Sequence, residues 1–398
     1  MKRLQAFKFE LNLSGTQVRE LYCIAGSCRF VYNKALALQK KRYESGEKKL
    51  TYSGLCKQLT VWRHDPELSW LKASPSQVLQ QALKDLERAY QNFFAKRADF
   101  PRFKRRGARD AFRFPQGMKL DQANSRVFLP KLGWVRYRNS RQVEGDISNI
   151  TISRSCDKWF MSIQTEHEVP ERIHSSTTSV GVDVGVVRLA TLSDGTVFES
   201  VNSMKLHQNR LAAYQRKASK KKKFSQNWKK IISKISQQHQ KISYIRKNYL
   251  HQTSNAISKN HAMVCLEDLQ IKNMSKRASG TIEKPGRNVK AKSGLNRAIL
   301  AQGWYELKRQ VEYKQSWRGG VVVLVSPRNT SRECPCCFHV SAENRVTQSC
   351  FVCVKCRYEN NADLVGAINI LRAGHAQLAC GEMVQLGRSM NQEPTKVT

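Results

Sequence analysis

The sequence predicts a multidomain α+β chain: a β unit interrupted by a run of helices, followed by an α/β domain that carries a metal-binding insert. Three observations predict it. Alternating apolar strands flank a helical stretch in the first half of the chain. After residue 180, strands alternate with helices, which implies a mixed sheet. Two Cys-x-x-Cys pairs, Cys334/Cys337 and Cys353/Cys356, stand fifteen residues apart. At 398 residues the chain has room for about two or three domains with sizeable cores.

The elements follow in order. Phe7, Phe9, Leu11 and Leu13 alternate with Lys8, Glu10 and Asn12, the pattern of a half-buried strand ending at Ser14-Gly15. From Thr16 to Tyr43, Val18, Leu21, Ile24, Cys28 and Val31 recur at helical spacing until Ser45-Gly46 breaks it. A second helix is expected from Ser74, as cap, and Pro75, with Val78, Leu79, Leu83, Leu86, Tyr90, Phe93 and Phe94 as its stripe. Strands are expected at 126–129, 134–137, 147–153 and 159–163, with a polar linker over 164–178. Together with the first strand they would close a small β-barrel.

Val180-Gly-Val-Asp-Val-Gly185 is β-branched and punctuated by glycine, so it reads as a strand, with a second apolar strand over Val187–Leu192, a Ser193-Asp-Gly195 turn and Thr196–Phe198 following it. Asp183 sits among apolar neighbours, where a carboxylate is costly unless paired, hydrogen-bonded or bound to metal; a structural aspartate is the competing reading. Ala262–Leu266 forms a later strand ending at Glu267-Asp268, residues 280–293 a basic loop, Leu295–Trp317 one helix, and Val321–Val325 a strand.

The charge narrows the partners. Sixty-nine Lys and Arg against 31 Asp and Glu leave a net +38, a surplus that repels itself unless a polyanion neutralises it. Nucleic acid is the expected partner. An anionic membrane competes, but no stretch has roughly eighteen uninterrupted apolar residues. Phe100, Arg102, Phe103, Lys104, Arg105 and Arg106 interleave rings with cations, and Phe112-Arg-Phe114 repeats the pattern; rings stack bases while cations hold phosphates. A core strand edge with a solvated basic face is the alternative. Between Glu199 and Glu267 no acid occurs, while Arg216, Lys217, Lys220, Lys221, Lys222, Lys223, Lys229 and Lys230 accumulate over a helical stripe of Ile231, Ile235, Ile242, Ile245 and Tyr249. A one-signed helix pair suits a phosphate backbone. The N-terminal ten residues hold no secretory apolar segment, and cysteine use fits a reducing compartment, so a cytoplasmic protein is expected.

Six of twelve cysteines fall between Cys334 and Cys356. The two Cys-x-x-Cys knuckles are a zinc-ribbon signature, each pair clasping one side of a tetrahedral Zn²⁺. Cys336 and Cys350 lie nearby, and Cys334, Cys337, Cys353 and Cys356 are preferred because they make two equivalent knuckles. Asp363 then opens an apolar helix running through Leu371.

In chain order, Asp183 within a strand, Glu267 closing another and Asp363 opening a helix resemble the three acids of a RuvC-like, ribonuclease-H-type nuclease. With the cysteine ribbon between the second and third acid, the arrangement resembles TnpB, the OrfB-type family of bacterial insertion sequences. Matching strings are Arg29-Phe-Val-Tyr-Asn33, Gly181-Val-Asp-Val-Gly185, Ala190-Thr-Leu-Ser-Asp-Gly195, Gln215-Arg-Lys217, Glu267-Asp-Leu269, Thr330-Ser331 and Asn369-Ile-Leu371, so the likeness reaches about residue 372. It implies an RNA-guided DNA endonuclease related to the type V CRISPR effectors. It further implies a β-barrel wedge domain (1–14 and 121–175) split by a helical recognition domain (15–120), and a RuvC-like nuclease domain (176–330 and 358–375) with a zinc-ribbon insert (331–357). A tail, 376–398, has no assigned element and is a candidate for disorder. The implied partners are a guide RNA from the element's own end and double-stranded target DNA beside a short duplex motif, with a monomer carrying its RNA as the favoured unit.

Three carboxylates suit two Mg²⁺ ions, which take oxygen ligands; Asp183, Glu267 and Asp363 are the expected ligands, with Asp268 the alternative to Glu267. One departure concerns the knuckles, where the family often has glycine after the second cysteine and this chain has Phe338 and Arg357. Competing functions are transposase strand transfer, guide-dependent DNA binding without cleavage, and an actin-like ATPase suggested by Asp-x-Gly alone; no second Gly-rich phosphate loop supports the last.

Overall fold

A computed structural model describes residues 2–108, 110–281 and 283–390. The chain divides into two compact units, Met1–Pro170 and Glu171–Thr398. The first holds β1 (Lys2–Asn12), helices α1 (Gly15–Glu44), α2 (Tyr52–His64) and α3 (Ser76–Phe94), then β2 (Ala111–Phe114), β3 (Lys119–Asp121), β4 (Arg126–Leu129), β5 (Gly133–Tyr137), β6 (Asp146–Ser155) and β7 (Lys158–Glu168). Its seven strands form a sheet in the order β2-β6-β7-β1-β5-β4-β3, paired antiparallel, with β2 and β3 at its edges among the described residues.

Phe7, Phe9 and Leu11 alternate into one core with Leu21, Val31, Leu79 and Leu83 of the helices. Three expectations change here. Strand β1 begins at Lys2 and β7 runs to Glu168, because each supplies the other's hydrogen bonds from Lys2↔Glu168 onward; the polar 164–168 stretch is strand, with Thr165 buried. Ser74 is no cap: it is buried with its hydroxyl on Ser27 Oγ at 2.8 Å, and Pro75 occupies the cap position. Phe94, at the end of the expected stripe, is 65% exposed. Helix α2, unforeseen, buries Leu55, Leu59 and Trp62.

The second unit contains β8 (Ser179–Asp183), β9 (Arg188–Leu192), β10 (Val197–Glu199), α4 (Ser203–Ser219), α5 (Gln226–Asn260), β11 (Met263–Glu267), α6 (Ile271–Met274), α7 (Val289–Gln302), α8 (Trp304–Arg318), β12 (Val321–Val325), β13 (Cys350–Val352), β14 (Glu359–Asn361) and α9 (Ala362–Met390). Five strands form a mixed sheet, β10-β9-β8-β11-β12, in which β8, β11 and β12 run parallel and β9 and β10 antiparallel. Parallel neighbours need crossover connections, which α4–α5 and α6–α8 supply. The single helix expected over 295–317 is two, broken at Gly303, whose φ of +78° is left-handed. Helix α7 takes in part of the expected loop at 289–293. Helix α9 continues to Met390 where a tail was expected, and residues 391–398 lie outside the described residues.

The pleat sorts this sheet into two faces. Val180, Val182, Val264 and Leu266 pack with Leu250, Ile257, Leu307 and Val311 of α5 and α8. The intervening Gly181 and Cys265 face α9: a Cβ on Gly181 would stand 2.1 Å from the Ala367 carbonyl oxygen and 2.6 Å from the Leu371 nitrogen. Only hydrogen permits that approach. Gly181→Ala is therefore expected to destabilise the second unit by about 3 kcal/mol, read by denaturant unfolding. Gly294→Ala in α7, where a Cβ meets nothing within 4 Å, is the control and should be neutral or stabilising.

Candidate active site and metal centre

The strand face that holds Gly181 also holds Asp183, two residues on, and the face of β11 that holds Cys265 also holds Glu267. Gly181 pairs with Cys265 and Val182 with Leu266, so the two acids fall side by side at the carboxyl ends of parallel strands. Helix α9 brings the third. Asn361 Oδ1 accepts the backbone N–H groups of Asp363 and Leu364, fixing the start of the helix, and Asp363 occupies its first turn. One turn later Gly366 closes on Asp183: a Cβ there would lie 3.1 Å from Asp183 Oδ2.

Burial pushes the Asp183 carboxyl up to about 7, and the neighbouring Glu267 and Asp363 carboxylates push the same way against a smaller opposing pull from Arg345. Burial also raises Glu267, opposed by a 2.7 Å hydrogen bond from the Thr330 hydroxyl to its Oε1. Arg345 Nη2 stands 3.9 Å from Asp363 Oδ1. Asp268 is held apart: Lys308 Nζ binds it at 2.8 Å, and its side chain is half exposed. The three acids expected from the sequence thus come together, and their all-oxygen donor set is the kind that hard divalent cations take.

The loop carrying Thr330 is tied to α9. Asn369 Nδ2 donates to the carbonyls of Thr330 and Glu333, each at 2.8 Å, and Arg372 pairs with Glu333 Oε1 at 2.5 Å. Neither Thr330 nor Asn369 was given a role from sequence. Both lie inside the strings quoted above, and only the fold shows what their side chains touch.

Just beyond, the Sγ atoms of Cys334, Cys337, Cys353 and Cys356 all lie within 4.8 Å of one another. Cys334 and Cys356 are 3.6 Å apart and Cys337 and Cys353 3.5 Å, near the ~3.8 Å edge of a tetrahedron with Zn–S bonds of about 2.3 Å. The knuckles match each other. Cys334 N–H donates to His339 O and Phe338 N–H to Cys334 O, both at 3.0 Å; Cys353 N–H donates to Tyr358 O and Arg357 N–H to Cys353 O, both at 2.9 Å. Phe338 and Arg357 adopt φ of +60° and +61°, the left-handed turn that glycine would enter without strain. The Arg372 guanidinium lies 4.6 Å from the Phe338 ring centroid. Cys336 and Cys350 stay out of the cluster.

The basic candidates divide. Arg216, Lys217, Lys220, Lys221, Lys222, Lys223, Lys229 and Lys230 are all exposed, on and between α4 and α5. In the first unit, residues 100–105 have no regular structure; Asn33 exchanges hydrogen bonds with the Lys104 backbone at 2.8 and 3.0 Å. Phe100, Arg102, Phe103, Arg105 and Arg106 are exposed. Lys104 is half-buried, its ammonium 4.2 Å from the Tyr32 ring and 3.7 Å from Asp85. Phe112 and Phe114 are corrections: both are buried core on β2, since the pleat turns them inward. Among the described residues, no helix is long and apolar enough to cross a membrane.

Fold and site define a multidomain, mixed α/β protein with a four-cysteine cluster able to hold a metal ion. The chain matches the OrfB/IS605 family described as "Probable transposase" over residues 162–278, a "Cas12f1-like, TNB domain" over 304–370 and a "Helix-turn-helix domain" of the OrfB group over 1–48. It is 60% identical over 397 residues to the "Putative RNA-guided DNA endonuclease InsQ" of Escherichia coli (strain K12), covering 100% of this chain and 99% of that one. A "Putative RNA-guided DNA endonuclease" of Streptomyces pristinaespiralis is 30% identical over 99% of this chain and 97% of its own. The "CRISPR-associated endodeoxyribonuclease Cas12f1" of Sulfoacidibacillus thermotolerans is 26% identical over 54% of this chain and 50% of its own. The chain belongs to the OrfB family of insertion-sequence proteins, the TnpB type.

Two outcomes are expected. Elemental analysis of the purified protein should find one zinc per chain, lost in Cys353→Ser together with protection of residues 330–360 from proteolysis. Asp183, with its carboxyl raised on folding, contributes stability that is full below the ordinary carboxylate range and lost as pH rises through about 7. Without added Mg²⁺, the Tm difference between wild type and Asp183→Asn should therefore shift in favour of the variant between pH 5 and 8.

Proposed function

We propose that the chain is an RNA-guided DNA endonuclease that hydrolyses phosphodiester bonds of guide-matched DNA next to a short duplex motif. The observation that supports it most is the convergence of Asp183, Glu267 and Asp363, from segments far apart in sequence, on one end of a mixed sheet, in a chain 60% identical to a protein of that name. The strand order of the second unit fits a ribonuclease-H-type nuclease domain, and the four-cysteine module between β12 and α9 fits a zinc ribbon. The sheet of the first unit, with α1–α3 inserted after its first strand, fits a wedge domain split by a recognition domain, although its edge strands β2 and β3 do not pair to close a barrel among the described residues.

In this reading Asp183, Glu267 and Asp363 would hold two Mg²⁺ ions, whose chemistry when bound would be to activate a water and stabilise the leaving oxygen of an in-line displacement. The protein's own part is to keep three carboxylates together despite their mutual repulsion. Gly366 leaves room for the Asp183 carboxylate, Thr330 orients Glu267, and Asn361 sets the helix turn that presents Asp363. Because burial and the neighbouring carboxylates raise Asp183, that carboxyl would have to give up its proton to serve as a ligand. Sequence choice falls to base pairing with a guide RNA, and the exposed cations of α4, α5 and the 100–106 loop face its backbone or that of the target. The Cys₄ site is closed, so its role is structural.

Protein purified from cells carrying its native flanking DNA should retain a discrete RNA and, with Mg²⁺, cut a plasmid library at guide-matched sites. Bound RNA with target binding but no cuts would instead mark a regulator, and joined DNA products a transposase. Asp183→Ala and Glu267→Gln should lower cutting to the protein-free background with RNA retained, while Asp268→Ala stays within a few-fold of wild type. Thr330→Val should raise the Mg²⁺ concentration for half-maximal cutting, and Thr330→Ser should restore it.

A further inference from the structure

We infer that the cavity beside Glu267, walled by Trp304 and Tyr305, is a subsite for one unpaired nucleobase of the DNA strand being cut. This rests on the endonuclease reading and adds which part of the substrate is gripped. The cavity, about 300 Å³, lies at the small end of ligand sites. Val184, Leu266 and Leu307 give it an apolar floor, which suits a heterocycle and not a phosphate. Glu267, the last residue of β11, and the turn that follows it line the cavity, so an occupant lies at the carboxyl end of that strand, on the α8 side of the sheet.

The two aromatic residues differ. Trp304 is 7% exposed, and its indole N–H donates to Gly185 O at 3.3 Å, so that ring is fixed. Tyr305, the next residue, lines the same cavity yet is 69% exposed. An exposed ring at the mouth of an apolar cavity offers a π-face to a base. Charge at the rim agrees: Lys308 neutralises Asp268 at 2.8 Å, and Lys272 stands exposed beside them. A base stacked within a duplex presents no free face, so the subsite selects a strand already parted from its complement.

The test uses RNA-bound protein carrying Asp183→Ala, to block cutting, and guide-matched DNA with 2-aminopurine placed at successive positions through the cut region. Stacking on an aromatic ring quenches its fluorescence. One position should be quenched beyond its neighbours; adding Tyr305→Ala should abolish that quench, and adding Tyr305→Phe should keep it. With Asp183 intact, Tyr305→Ala should raise the DNA concentration for half-maximal cutting about tenfold, and an abasic site at the quenched position should cost wild type as much but this variant nothing more. No Tyr305-dependent quench, with Tyr305→Ala cutting like wild type, would overturn the subsite and leave the endonuclease reading standing. A Tyr305-dependent quench in a protein whose wild type never cuts would support the subsite and overturn the endonuclease reading.

Discussion

The closeness of α9 to the central strands is the constraint on which the second unit depends. Gly181 on β8 has no side chain, and the backbone of α9 lies where a Cβ would be. Gly366 repeats the arrangement one step along, against the Asp183 carboxylate. Helix and sheet are thereby held at a distance that larger residues would forbid, and the first turn of α9, with Asp363, falls beside the ends of β8 and β11. The glycines in this stretch serve contact more than backbone freedom.

That closeness has an electrostatic cost. Burial is the main reason Asp183 is raised to about 7, and repulsion from the Glu267 and Asp363 carboxylates adds to it. Against that repulsion the structure sets local contacts: Thr330 on Glu267, Arg345 beside Asp363, and Asn361 on the backbone that carries Asp363. The connection between Thr330 and the cysteine module runs through Asn369 and Arg372, both on α9. A four-thiolate cluster with no open position and a carboxylate site are thus tied to the same helix.

The departures from the sequence reading share one origin. Lys2 and Glu168 lie in strands because each strand lengthens the other. Ser74 gives up a capping role for a buried partner, Ser27. Phe112 and Phe114 look like base-stacking rings by composition but pack in a core, because alternation along β2 points both inward. Lys104, one of a run of cations, is held over Tyr32 while its neighbours are exposed. Each outcome turned on a partner distant in sequence, which composition and local pattern do not specify.

What the sequence by itself determined was the local and periodic: where β8, β11 and β12 lie, the Val/Gly/Asp alternation that puts Gly181 and Asp183 on one face, the start of an apolar helix at Asp363, and the four cysteines. Backbone periodicity and ligand spacing act over a few residues, so these are legible in a single chain. Only the tertiary structure decided that Glu267 and not Asp268 joins Asp183, that Thr330 and Asn369 support the acids, that Phe338 and Arg357 take left-handed turns without glycine, and that Tyr305 opens onto a cavity shared with Glu267. Strand register, helix seating and side-chain direction set those relations, and they follow from packing between segments that the chain keeps far apart.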